Sequence, residues 1–277
     1  LKKILKLREQ ERDAALINER NLGLVIHEAL AALYAKIRDH DGSFLSAHKK
    51  QYYTWADEAA RNVTSQNAEF AGPLAAPIII LISGRVAENV RTVIDLDAQI
   101  LDGYIPHILE AAVDFREDGL LYFGRIDRIS LNPADSSLVL IDYKSGTTPR
   151  ANDCKPVPED AEPEAQTLQD FQMPLYILLA ENMSRETIRE GWFANLKEKK
   201  YSPVVTDRNI IDLHSRTQTL SREEMEPSLN VCRIEAGRFA RALADYDFTR
   251  PEGLSRKVCT GCAFFRICRT TYTTGTS

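Results

Sequence analysis

The order of patterns along the 277 residues predicts an α/β fold, with a central mixed β-sheet flanked by helices. Three observations point to it. Helical apolar stripes fill the first hundred residues, three strand-like runs follow up to residue 143, and a further helix precedes two more strand-like runs. A strand block with helices on either side of it in sequence calls for a sheet covered by helices. One domain is expected over 1–277: a mainly helical part (1–104), a core (105–206), and a closing helix with a cysteine segment (207–277).

Residues 1–20 are charged and helical in pattern. A helix is expected from Gly23 to about Ile37, striped by Ile26, Ala29, Leu30, Leu33 and Ile37, with His27 one step off the stripe near the helix start. Residues 51–63 and 77–98 read as two further helices. Residues 108–115, 120–129 and 137–143 then read as an antiparallel meander. Glu117-Asp118-Gly119 is a hairpin signal, and 132–137 is a cluster of turn formers. Residues 146–166, rich in Pro, Glu, Asp and Thr, predict a loop that is mobile without a ligand. Helix is expected again over 168–183, then a hairpin of 187–196 with 201–206 that extends the sheet, then a last long helix over 221–245. No internal repeat appears.

A net charge of −5 excludes a basic nucleic-acid coat, although residues 250–277 carry a local excess of +4. That tail is suited to a phosphate backbone, or is simply a solvated terminus. The most apolar run, 77–82, is too short to span a bilayer, so no membrane partner is expected. No secretory leader is visible, and the chain opens on Leu, which reads as a piece of a longer protein. Five cysteines, three of them crowded together, argue for a reducing, cytoplasmic setting and a metal or cluster site.

The chemistry concentrates around Asp127, in Gly124-Arg125-Ile126-Asp127-Arg128, and Asp142-Tyr143-Lys144. An Asp-x-Lys by itself is usually a surface ion pair worth little. Here Asp142 ends a buried apolar run, and Lys144 shares its face because strand side chains alternate. One turn away, Asp127 can oppose them. Two carboxylates suit Mg²⁺ or Mn²⁺, and a Lys beside them can position or deprotonate a water or stabilise charge on a phosphate. His27 is more simply a capping or packing residue than a ligand, and Glu110 more simply a half-exposed strand acid. Gln172 and Tyr176 share a helix face, where an amphipathic helix is the plainer reading. Pro174 fits the first turn of that helix. Cys259, Cys262 and Cys268 have the spacing of zinc or iron–sulfur ligands, which normally number four. Cys154 and Cys232 are candidates for the fourth and are more simply free thiols.

In this order and spacing, these pieces resemble the PD-(D/E)XK nuclease superfamily in its RecB/AddB-type branch. The pieces are Gly23-x-x-x-His27, Gly124 to Arg128, Ile141 to Gly146, Gln172 to Tyr176, and Cys259-x2-Cys262-x5-Cys268. The resemblance implies a restriction-endonuclease-like core and a Mg²⁺- or Mn²⁺-dependent DNA nuclease, an exonuclease of repair or recombination with a helicase domain or subunit as partner. It also implies metal binding by His27, Asp127, Asp142 and the Tyr143 backbone carbonyl. Lys144 would be catalytic, with Gln172 and Tyr176 shaping the DNA-facing site. Cys259, Cys262 and Cys268 would be three of four [4Fe–4S] ligands, the other being a Cys upstream of the first helix that has no counterpart here. Ile126 stands where the family often has Pro. Two other readings are a binding module that holds DNA ends without cutting, and a terminal cysteine segment that binds zinc as a partner dock.

Overall fold

The computed structural model describes residues 19–67, 75–207 and 219–245. The chain divides into two compact units, Glu19–Arg238 and Leu1–Asn18 with Phe239–Ser277. The sheet and the candidate site belong to the first. Residues 1–18 of the charged, helix-patterned stretch 1–20, the basic tail, and Cys259, Cys262 and Cys268 lie outside the described residues.

Three helices come first: α1 (Glu19–Asp41), α2 (Lys49–Gln66) and α3 (Ala75–Ile100). α1 starts ahead of the expected Gly23, which places His27 in its third turn rather than near its start. A glycine inside a helix costs only about 1 kcal/mol, and Leu22, Val25, Ile26, Ala29 and Leu30, all buried, extend the stripe across it. Gly42, at φ +76°, ends the helix in the left-handed conformation that residues with a Cβ resist, and its N–H bonds Arg38 O at 3.0 Å.

The sheet has five strands in the order β1 (Ile105–Glu117), β2 (Leu120–Leu131), β3 (Leu138–Lys144), β4 (Ile188–Asn195) and β5 (Lys200–Val205). The first three form the expected antiparallel meander. Asp118 and Gly119, at φ +48° and +78°, make the two-residue turn that matches strand twist. Asn132 and Ser137 close the next turn, with Asn132 N–H donating to Ser137 O at 2.8 Å. β4 and β5 form the expected hairpin, and β4 joins β3 in parallel, so the sheet is mixed. The crossover between β3 and β4 holds α4 (Gln172–Ser184). α4 starts later than residue 168 because the Asp170 carboxylate accepts the Gln172 N–H at 2.9 Å and opens the helix there. Pro174 falls in its first turn, where its missing N–H costs nothing. α5 (Arg222–Ala244) follows.

One core joins Ile129, Leu140, Phe193 and Val204 of the sheet to Ile177 and Leu179 of α4 and Met225 and Leu229 of α5. Residues 146–166 hold only short 3₁₀ turns, as a loop should, and are tied down at several points. Ala151 and Cys154 are buried, Val157 and Thr167 exchange two backbone bonds of 2.9 Å, and the Gln166 amide donates to Pro158 O at 3.1 Å. Among the described residues, no helix is long and apolar enough to cross a membrane.

Candidate active site

Pairing of β2 with β3 runs as far as Arg128↔Ile141 and stops. Beyond that point the Tyr143 N–H is taken by the Asp127 side chain, Oδ2 accepting it at 2.9 Å. The carboxylate thus stands between the parting strands, with Oδ1 left to face α1. His27 Nδ1 lies 3.2 Å from Asp127 Oδ1 and 3.2 Å from Glu110 Oε1. One ligand atom from each of His27, Glu110 and Asp127 falls within 4.8 Å of the others, a spacing that can hold a metal ion. The Tyr143 ring meets His27 edge-on at 5.6 Å and limits its rotation.

Glu110 therefore belongs to the site, against the plainer reading of it as a half-exposed strand acid. A signal for it was present in the hairpin. The Asp118-Gly119 turn pairs Glu117 with Leu120, and the same count sets Glu110 opposite Asp127, between Leu109↔Arg128 and Ala111↔Ile126. Its backbone is left-handed, at φ +45°. That conformation costs a residue with a Cβ about 1–2 kcal/mol, and such strain gathers at functional sites. Arg125 holds the other Glu110 oxygen, with Nε 3.1 Å from Oε2.

Asp142 and Lys144 share a face, as alternation requires. Asp142 is 3% exposed. Lys144 Nζ lies 3.0 Å from its Oδ2, and the Gln172 amide donates to its Oδ1 at 2.9 Å. Gln172 is thus engaged with the site and not a solvated helix residue. Tyr176, one turn further along α4, is half-buried, and its phenol is pushed up to about 12 by burial and by the Asp142 charge. Asp142 is not one of the three clustered ligands, but Asp127 is close enough to act on it. Burial and then the Asp127 charge raise its carboxyl to about 7, against the lowering pull of Lys144 and His27.

His27 is the counterpart. Burial lowers its pKa, but hydrogen bonds to Asp127 and Glu110 and their charges outweigh that and lift it to about 10. The metal-free site holds an imidazolium between two carboxylates. One nitrogen and two or more carboxylate oxygens around a place that attracts positive charge fit a hard or borderline divalent cation. Cys154 and Cys232 are buried, unpaired thiols pushed up to about 12 by burial, which suits inert core residues.

Two comparisons with known proteins bear on this geometry. Over 74 residues the chain is 38% identical to a protein of Treponema pallidum (strain Nichols) described as "Uncharacterized protein". That stretch is 27% of this chain and 9% of that protein. A match to the PD-(D/E)XK nuclease superfamily runs over residues 1–269, nearly the whole chain. With a mixed five-stranded sheet, a cluster able to hold a metal, and an Asp-x-Lys at the end of a central strand, this chain belongs to the PD-(D/E)XK nuclease superfamily.

Proposed function

We propose that this chain is the nuclease domain of a RecB/AddB-like helicase–nuclease of DNA repair or recombination, hydrolysing DNA from its ends with Mg²⁺ or Mn²⁺. The observation that carries this reading is the His27–Glu110–Asp127 cluster, set beside Asp142 and its Lys144 partner. His27, Glu110 and Asp127 would hold the ion, joined by Asp142 and the Tyr143 carbonyl. When bound, a divalent ion supplies Lewis acidity, lowering the pKa of a water and offsetting charge on the phosphate.

The protein's own groups do the remaining work. Lys144 pulls the Asp142 carboxyl back towards its anionic form, against burial and the Asp127 charge, and presents an ammonium where it can hold the attacking water or the phosphate oxygens. Gln172 fixes the Asp142 carboxylate by a bond to Oδ1. Tyr176 sets a phenol beside it that stays protonated at neutral pH and so can donate to a phosphate oxygen.

Digestion of linear and circular DNA with Mg²⁺ or Mn²⁺ tests the reading. Wild-type protein should degrade linear DNA and spare closed circles, and Asp142→Ala and Lys144→Ala should each lose at least about a hundredfold in rate. DNA-end binding without metal-dependent cutting by the wild type would instead assign the chain to the non-cutting module. For the cysteines, the same reading makes Cys259, Cys262 and Cys268 ligands of a [4Fe–4S] cluster completed by an upstream Cys. Iron with acid-labile sulfide in a longer chain is the expected result, and stoichiometric zinc without iron overturns it.

A further inference from the structure

We infer that Gly23 of α1 is where the sugar–phosphate backbone of the substrate passes against the protein beside the metal cluster, and that the missing side chain there is what admits it. This rests on the nuclease reading and adds to it the route of the substrate. A glycine inside a helix weakens the helix, so its presence calls for a reason. At Gly124 and Gly191 the reason is packing, because a Cβ would sit 2.6 Å from Leu179 Cδ1 or 2.6 Å from Met173 Sδ. Gly23 has no such reason. It lies within α1 and not at a cap, and its backbone is not left-handed. A Cβ added to it would meet no described atom within 4 Å, the His27 ring included. Leu24, the next residue, is 50% exposed, so among the described residues this stretch of α1 is open to solvent.

The position of that opening selects the occupant. Gly23 and His27 are four residues apart and share a helix face, separated by about 6 Å along the axis. A helical side chain leans towards the turn before it, so the His27 ring is carried over the turn that Gly23 begins. His27 Nδ1 lies 3.2 Å from both Glu110 Oε1 and Asp127 Oδ1, which sets the cluster beside this turn. Neighbouring residues of β3 point to opposite faces of the sheet, and there Tyr143 meets His27 of α1 while Asp142 meets Gln172 of α4. The cluster therefore lies at the strand ends with α1 as one wall and α4 as the other. A phosphate held on the ion carries a sugar on each side of it, and these must run past the walls. The α4 wall presents Gln172 and Tyr176, two long side chains. The α1 wall presents bare backbone at Gly23, which permits the close approach that a Cβ forbids.

The test uses the full chain carrying Asp142→Ala, so that binding is read without cleavage. Its affinity for short linear DNA, single-stranded and duplex, is compared with that of the same protein carrying Gly23→Ala, Gly23→Leu or Gly84→Ala. Gly84 is the control: it lies within α3, a Cβ there also meets nothing within 4 Å, and α3 supplies no residue of the cluster. All three substitutions should raise Tm, because each replaces glycine by a better helix former. The Gly23 variants alone should lose DNA affinity, Gly23→Leu by at least about tenfold. With Asp142 intact and no DNA present, Mn²⁺ affinity titrated by electron paramagnetic resonance should be the same in Gly23→Leu as in wild type, since residue 23 supplies no ligand. DNA affinity unchanged by Gly23→Leu overturns the inference and leaves the nuclease reading standing. A fall in Tm in Gly23→Leu assigns the space to another part of the chain, and weakened Mn²⁺ binding assigns the loss to a disturbed cluster; either overturns the inference. A parent protein that binds no DNA overturns both the inference and the nuclease reading.

Discussion

A histidine held between two carboxylates sits where positive charge is favoured, and in the metal-free protein a proton supplies that charge. His27 must lose that proton to ligate through Nδ1. In the metal-free protein this proton is linked to stability. The His27 pKa is raised in the fold, so its contribution is present below about 6.5 and is lost as pH rises towards about 10. Asp142 is raised from 3.8 to about 7, so it too binds its proton more tightly when folded, and that contribution is lost as pH rises through about 7. Both act in one direction. Thermal unfolding of metal-free protein should show Tm falling between about pH 6 and pH 9, and saturating Mn²⁺ should raise Tm more at the alkaline end, where the His27 proton competes with it less. A Mn²⁺ increment that does not vary with pH would remove His27 from the ligand set.

At the scale of elements, one buried charge pair ties the helical layer to the sheet. Arg128 of β2 grips Asp97 of α3 at 2.7 and 3.0 Å, and Tyr34 of α1 and Tyr201 of β5 both donate to Asp97. Arg128 also lies over the Tyr34 ring, 4.2 Å from its centre. Tyr34 is two turns along α1 from His27, so the contacts that fix Tyr34 also fix the rotation that presents His27 to the sheet. Asp97→Ala leaves a buried guanidinium uncompensated and should cost about 3–5 kcal/mol in denaturant unfolding, while Tyr34→Phe should cost about 1 kcal/mol. Equal, small losses would mean that the pair does not hold the layers together. The elements themselves were largely legible. Alternation, the Asp118-Gly119 turn and the Asn132 to Ser137 turn are local signals, and together they define the meander. That the sheet is mixed was expected, but that β4 would join β3 rather than β1 was not legible, because the choice of sheet edge for a hairpin depends on packing around α4 and not on its own pattern.

For the whole molecule, site residues were legible to the extent that one strand or one turn relates them. Asp142 and Lys144 follow from a period of two, and Asp127 from a tight turn. Glu110 was within reach of the hairpin register but looked ordinary as an isolated strand acid. His27 and Gln172 could not be placed by residue pattern, since α1 meets Glu110 across 83 residues and Gln172 meets Asp142 across 30. Resemblance alone assigned them. The proposed hydrolysis depends on these distant groups enclosing one cation. Anomalous diffraction from crystals soaked in Mn²⁺ tests that most directly. A peak within about 2.0–2.3 Å of His27 Nδ1 and of carboxylate oxygens of Glu110 and Asp127 is the expected result. Mn²⁺ bound only elsewhere, with the His27–Glu110–Asp127 contacts unchanged, would contradict it.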